Sequence, residues 1–259
     1  MRIRRLIVAM AAIAMLGAIA ANVASAENVT DPARWYVNGV GLNAGQSEKV
    51  KCSKSSESLV LEGTVGEGTE KVPAKLTASG IECINHEGTS EGNGSARIEQ
   101  TGNGTTEAYA AEDFGRLVFT GVTVTEPAHC KVSGGAVTTN PLKSQLLMDK
   151  AKTGITFDRF IPTGTNFATV KIESDGTGTC GIAGSRVAKG AACGQAANET
   201  GTFATNQKLS FSATVDATAG NTEDSCELLF AGNPAHLTGT VNNELAGANA
   251  GKSFGAKNE

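Results

Sequence analysis

Leu117-Val118-Phe119-Thr120-Gly121-Val122-Thr123-Val124 decides the fold. The run has strand length, its apolar side chains are β-branched, aromatic or leucine, and no 3.6-residue apolar period passes through it. Outward from it the same signature returns at Leu59-Val60-Leu61, Ala74 to Leu76, Arg97-Ile98-Glu99, Gln145 to Met148, Phe167 to Ile172, Leu209 to Val215, Leu228 to Phe230 and Leu237 to Val241, each bounded by turn residues. Thirty-two glycines with abundant Thr, Ser, Asn and Ala leave little room for helix. Asn38-Gly39, Asn93-Gly94 and Asn103-Gly104 supply the paired φ > 0 positions of type I′ hairpins. The expectation is an all-β protein, an antiparallel β-sandwich or two stacked ones. A parallel β-helix is the runner-up, because Gly/Asn/Thr-rich exported chains also build solenoids, although no repeat of roughly 20 to 30 residues persists along the chain.

The N-terminus carries Arg2, Arg4 and Arg5, then an apolar run from Leu6 to Ala21, then the small residues Ala24-Ser25-Ala26. That order is a cleaved secretory signal over residues 1–26. The apolar run is shorter than the roughly 20 residues a membrane anchor needs, and no later segment reaches that length. Residues 27–259 then hold 19 basic against 26 acidic side chains, a net charge of −7. Nucleic acid and anionic membranes are disfavoured as partners, since such binding rests on clustered Lys and Arg. The mature chain is expected outside the cell or at its surface.

Cys52, Cys83, Cys130, Cys180, Cys193 and Cys226 are an even number in an oxidising compartment, so disulfides are the default. No Cys-x-x-Cys spacing supports a metal site. A longer echo joins the halves. Lys75-Leu76, Cys83, the strand at Leu117 to Thr120 and Cys130 are followed by Lys171-Ile172, Cys180, the strand at Leu209 to Ser212 and Cys226. On that echo the chain divides into β units 27–150 and 151–259, with Cys83–Cys130 and Cys180–Cys226 as natural pairs and Cys52–Cys193 across the halves. One continuous domain over 27–259, with the echo arising from composition alone, is the alternative.

The sequence presents no catalytic, cofactor or metal set. His86 and His236 stand in loop or turn sequence, and His129 precedes Cys130, whose side chain points to the opposite face if the segment is a strand. Gly-x-Ser-x-Gly is absent, and the Gly-x-Gly doublets never open a helix. Glu112, Asp113, Asp149, Asp158, Glu173, Asp175, Glu223 and Asp224 are the carboxylates from which a glycosidase-like pair would be drawn. Glu173-Ser174-Asp175-Gly176-Thr177-Gly178 has the look of a calcium loop but lacks the closing Glu of an EF-hand. Trp35 and Tyr36 are candidate ligand contacts by stacking, although a lone Trp more often fills a core.

Trp35-Tyr36-Val37-Asn38-Gly39, Leu117-Val118-Phe119-Thr120-Gly121 leading to Cys130, and Gly232-Asn233-Pro234-Ala235-His236-Leu237-Thr238-Gly239-Thr240 give the chain a further likeness. It resembles a group of uncharacterised exported β-rich proteins of soil-dwelling high-GC bacteria. The resemblance implies a bacterial exported protein and carries no activity. The function expected is an exported, non-enzymatic, disulfide-stapled β protein, serving as a structural or ligand-binding module, with cell-wall polysaccharide or another surface protein as partner. An extracellular hydrolase with a carboxylate pair is the alternative.

Overall fold

Asn38 and Gly39 adopt φ of 50° and 78°, and this two-residue turn sets Val37 opposite Val40, so the first hairpin is the one its sequence specifies. The computed structural model describes residues 33–84, 96–100, 111–148, 156–196, 202–212 and 226–258. Residues 1–26, the Asn93-Gly94 and Asn103-Gly104 turns, His86, Asp149, Glu223 and Asp224 lie outside them.

The strands in chain order are β1 (Ala33–Val37), β2 (Val40–Gly41), β3 (Ser47–Lys54), β4 (Leu59–Val65), β5 (Val72–Ala78), β6 (Gly80–Ile84), β7 (Ala96–Gln100), β8 (Ala111–Thr120), β9 (Thr123–Glu126) and β10 (Cys130–Val132). They continue as β11 (Ala136–Thr138), β12 (Leu142–Met148), β13 (Thr156–Pro162), β14 (Ala168–Ser174), β15 (Gly184–Gly190), β16 (Ala192–Ala196), β17 (Gln207–Phe211), β18 (Leu228–Phe230), β19 (Asn233–Leu245) and β20 (Phe254–Asn258). The protein is all-β, and every ladder between these strands is antiparallel, which removes the parallel β-helix.

Two long strands organise the rest. The C-terminal half of β19 pairs with β17 on one side and β3 on the other, whereas its N-terminal half pairs with β18 and β4. The change of partners falls at Gly239, whose φ is 121° and whose added Cβ would lie 2.8 Å from the Ser58 carbonyl oxygen. Only glycine fits there. In the same way the N-terminal half of β8 pairs with β7 and β12, and its C-terminal half with β6 and β11.

From these two strands the chain builds facing layers. β9, β5, β4, β19, β18, β15, β14 and β10 form a curled sheet that faces β6, β8 and β11 in a sandwich-like packing, with Leu59, Leu76, Val122, Val137, Phe167, Val170, Phe230 and Leu237 buried between. On the other side, the ladders run β13–β16–β17–β19–β3–β7–β8–β12 and return from β12 to β13. These eight strands form a ring whose inner face is a second part of the core.

Ladders cross residue 150 at β12–β13, β10–β14, β19–β3 and β19–β4, so the strands of residues 27–150 and 151–259 are interleaved. The disulfides also differ from those the echo implies. The structure joins Cys52–Cys83, Cys130–Cys180 and Cys193–Cys226, each cysteine bonding the next in sequence, in place of Cys83–Cys130, Cys180–Cys226 and Cys52–Cys193. The reason is adjacency: β3 packs beside β6, and β10 pairs with β14 directly before the loop that holds Cys180.

Candidate functional site

The inner face of the ring follows from strand alternation. Residues directly opposite in an antiparallel ladder point to the same side, and every second residue follows them. Leu142, Ser144 and Leu146 on β12 face Pro162, Phe160 and Asp158 on β13. Asp158 and Phe160 in turn face Gly194 and Ala192 on β16, and Gly194 faces Phe211 on β17. Phe160 and Phe211 meet across this face, their ring centroids 5.9 Å apart.

Gly194 is what lets them meet, because a Cβ there would stand 3.3 Å from the Phe211 ring. On the remaining side Ile98, Val50, Val241 and Asn243 complete the wall.

A cap closes one end. β1 lies between β2 and β20 in a small sheet, and Trp35 and Phe254 from it pack on Val50, Ile98, Leu146 and Leu245, which come from four ring strands. The cap is tied down through Gln100, whose side-chain Oε1 accepts from the Trp35 backbone N–H at 3.1 Å. The Gln100 backbone also accepts from Gly45 N–H at 2.7 Å and donates to the Gln46 carbonyl at 3.0 Å. Phe254 and Ala204 exchange two backbone hydrogen bonds of 2.9 and 3.2 Å, and Gln207 Nε2 donates to the Phe254 carbonyl. The other end closes on Ile81, Cys83 and Leu117.

Within these walls lies a cavity with about 80 Å³ open to the centres of water-sized molecules. One water needs roughly 10 to 15 Å³ on that scale, so the space fits a ligand of roughly five to eight non-hydrogen atoms. Its lining is mainly apolar, with a few polar groups set among the hydrocarbon. Asp158 is 2% exposed, Ser144 1% and Thr156 4%. Trp35 Nε1 and Ser144 Oγ are buried without a hydrogen-bond partner. A second, wholly apolar-lined cavity of about 60 Å³ lies between the sandwich layers, among Leu59, Leu76, Phe119, Val137, Phe167 and Leu237.

The sequence candidates are dispersed around this site. Trp35 lines the cavity at 6% exposure, but Tyr36, its neighbour on β1, points to the opposite face and stacks on Phe203 at 5.3 Å. The two aromatics therefore do not form one stacking platform. Of the candidate carboxylates, Asp158 alone lines the cavity among the described side chains. Glu173 lies 3.7 Å from Lys131 on the surface, and Glu112 and Asp113 pair through their backbones with Gln145 and Ser144.

His129 and the Asp175 loop, read separately in the sequence, meet in space. His129 adopts φ of 65°, and its Nδ1 lies 2.8 Å from Thr177 Oγ1, whose hydroxyl donates to Asp175 Oδ1 at 2.7 Å. The Thr177 side chain, then its backbone N–H, and then the nearby His129 and Lys131 hold the Asp175 carboxyl below the usual range. The cluster is exposed and lies beside the Cys130–Cys180 bridge, and here Thr177, not the imidazole, is the middle member. That order fixes a loop and activates no nucleophile. His236 stands on β19 opposite Glu62.

No group of three or more His, Cys, Asp or Glu among the described residues is placed to hold a metal ion. Comparison with protein-family models, with curated proteins and with solved structures finds no match to this chain.

Proposed function

We propose that the protein is an exported, non-enzymatic ligand-binding module, stapled by its disulfides, whose site is the interior of the eight-strand ring. One observation carries the reading: the ring encloses a cavity, and its lining sets buried polar atoms without partners among apolar side chains. A folded core ordinarily satisfies such atoms or replaces them by hydrocarbon, because an unsatisfied buried polar group costs about 1–3 kcal/mol. A small antiparallel ring that is not fully packed with side chains is a known way to hold one small ligand.

Three disulfides fit an oxidising compartment, and no helix among the described residues is long and apolar enough to cross a membrane. The hydrolase alternative needs two carboxyls about 5–10 Å apart around a bond; Asp158 lines the cavity, and the Asp113 backbone pairs opposite Ser144 and Ile98 of the same wall.

Calorimetric melting of the oxidised protein in increasing benzyl alcohol tests the proposal. The melting temperature is expected to rise with ligand concentration. The rise should disappear in Leu146→Phe, which fills the cavity from β12. Equal behaviour of the two proteins, or no rise in either, contradicts the reading.

A further inference from the structure

The polar atoms on the ring's inner face specify what kind of molecule it takes. Trp35 Nε1 donates only, and Ser144 Oγ donates or accepts. Trp35 is 6% exposed and Ser144 1%, both line the cavity, and neither polar atom has a hydrogen-bond partner. A ligand that answers them presents an oxygen acceptor to the indole N–H. The rest of the wall, Ile98, Leu146, Phe160, Phe211 and Phe254, asks for an apolar body.

Charge narrows the class further. Asp158 is the acidic group on the described lining, and it faces the interior opposite Leu146 and Gly194. The basic residues on the lining, Arg97, Arg116, Lys143 and Lys208, alternate with inward residues along their strands, and Arg97 is held by Glu99 at 3.0 Å. An anion inside would lose its water to a mainly apolar lining and meet the Asp158 carboxyl at low dielectric.

Resting on the ligand-binding reading above, we infer that the ring binds a small, uncharged molecule with an apolar body and one hydroxyl or carbonyl oxygen, and rejects its carboxylate analogue.

Isothermal titration of the oxidised protein with toluene, benzyl alcohol and benzoate tests the class, since the three share one ring and differ in the head group. Benzyl alcohol is expected to bind about ten-fold more tightly than toluene, the effect of one hydrogen bond to an otherwise unsatisfied buried group. Benzoate is expected not to bind. Ser144→Ala should bring benzyl alcohol about five- to ten-fold closer to toluene while leaving toluene in place. Trp35→Phe, which keeps an aromatic in the cap, should act in the same direction.

Toluene binding as tightly as benzyl alcohol, or benzoate binding at all, overturns the inference and leaves the ligand-binding reading standing. Failure of all three to bind overturns both.

Discussion

Replacing Gly239 by alanine perturbs the point where β19 leaves the ring and joins the sandwich. Two costs add there. The backbone sits at φ 121°, a region nearly closed to residues with a side chain, which costs about 1–3 kcal/mol. The new Cβ would also lie 2.8 Å from the Ser58 carbonyl oxygen, 3.0 Å from Leu59 Cδ2 and 3.1 Å from Leu59 Cα.

Two of those three atoms are backbone and cannot rotate away, so an overpacking cost of about 1–3 kcal/mol follows. The sum is about 2–6 kcal/mol, a large share of the 5–15 kcal/mol by which domains are ordinarily stable. Gly232→Ala is the matched control. It lies in the turn before the same strand, at φ 81°, with nothing within 4 Å of an added Cβ, so it loses only the backbone part.

Urea unfolding followed by the emission of Trp35, the sole tryptophan, reads both variants. Gly239→Ala should lose about twice as much stability as Gly232→Ala or more. Equal losses would refute the close approach of β19 to Ser58, and with it the shared-strand architecture.

Other outcomes follow from the same geometry. Cys130→Ala with Cys180→Ala opens a loop of 50 residues and should cost about 4 kcal/mol in the chain-entropy model, and peptide mapping of the unreduced protein should recover Cys52–Cys83, Cys130–Cys180 and Cys193–Cys226. Gln100→Ala removes the acceptor of the Trp35 N–H and should speed hydrogen exchange at Trp35 and Leu42 more than at Val170 in the sandwich. Asp175 should titrate by NMR below the ordinary carboxylate value of about 3.9. Because its folded pKa is depressed, its contribution to stability is present above the unfolded value and is lost as pH falls through the folded one. Thr177→Val should move the Asp175 midpoint upward.

The strands whose sequences alternate were legible. Leu59 to Leu61, Phe167 to Ile172 and Leu237 to Val241 each fall on a strand, and Leu117 to Val124 falls on two, parted at Gly121. Strands of the ring were harder to read, for a physical reason. β16 reads Ala192-Cys193-Gly194-Gln195-Ala196, with small residues facing inward because Phe160 and Phe211 take the space opposite. In β3, Ser47-Glu48-Lys49-Val50-Lys51-Cys52-Ser53-Lys54, only Val50 and Cys52 are buried, and the charged residues between them mask the pattern.

The candidate site was nearly invisible for a related reason. Ring closure depends on ladders such as β19 with β3, which lie about three quarters of the chain apart, and no local window holds that information. Asp158 looked like one carboxylate among many, yet it shares strand parity with Phe160, and Ser144 shares it with Leu142 and Leu146. That parity is the signal that places both on an inner face. The disulfide echo misled because a chain rich in Gly and Thr repeats its own composition, whereas pairing followed the strands that lie side by side.

A crystal structure of the oxidised protein grown in benzyl alcohol would show whether the ring holds a ligand. Density for the ligand is expected inside the ring, its ring plane among Ile98, Phe160 and Phe211 and its oxygen within hydrogen-bond distance of Trp35 Nε1 or Ser144 Oγ. A ring interior without ligand, or benzyl alcohol found only on the outer surface, would contradict the ligand-binding reading.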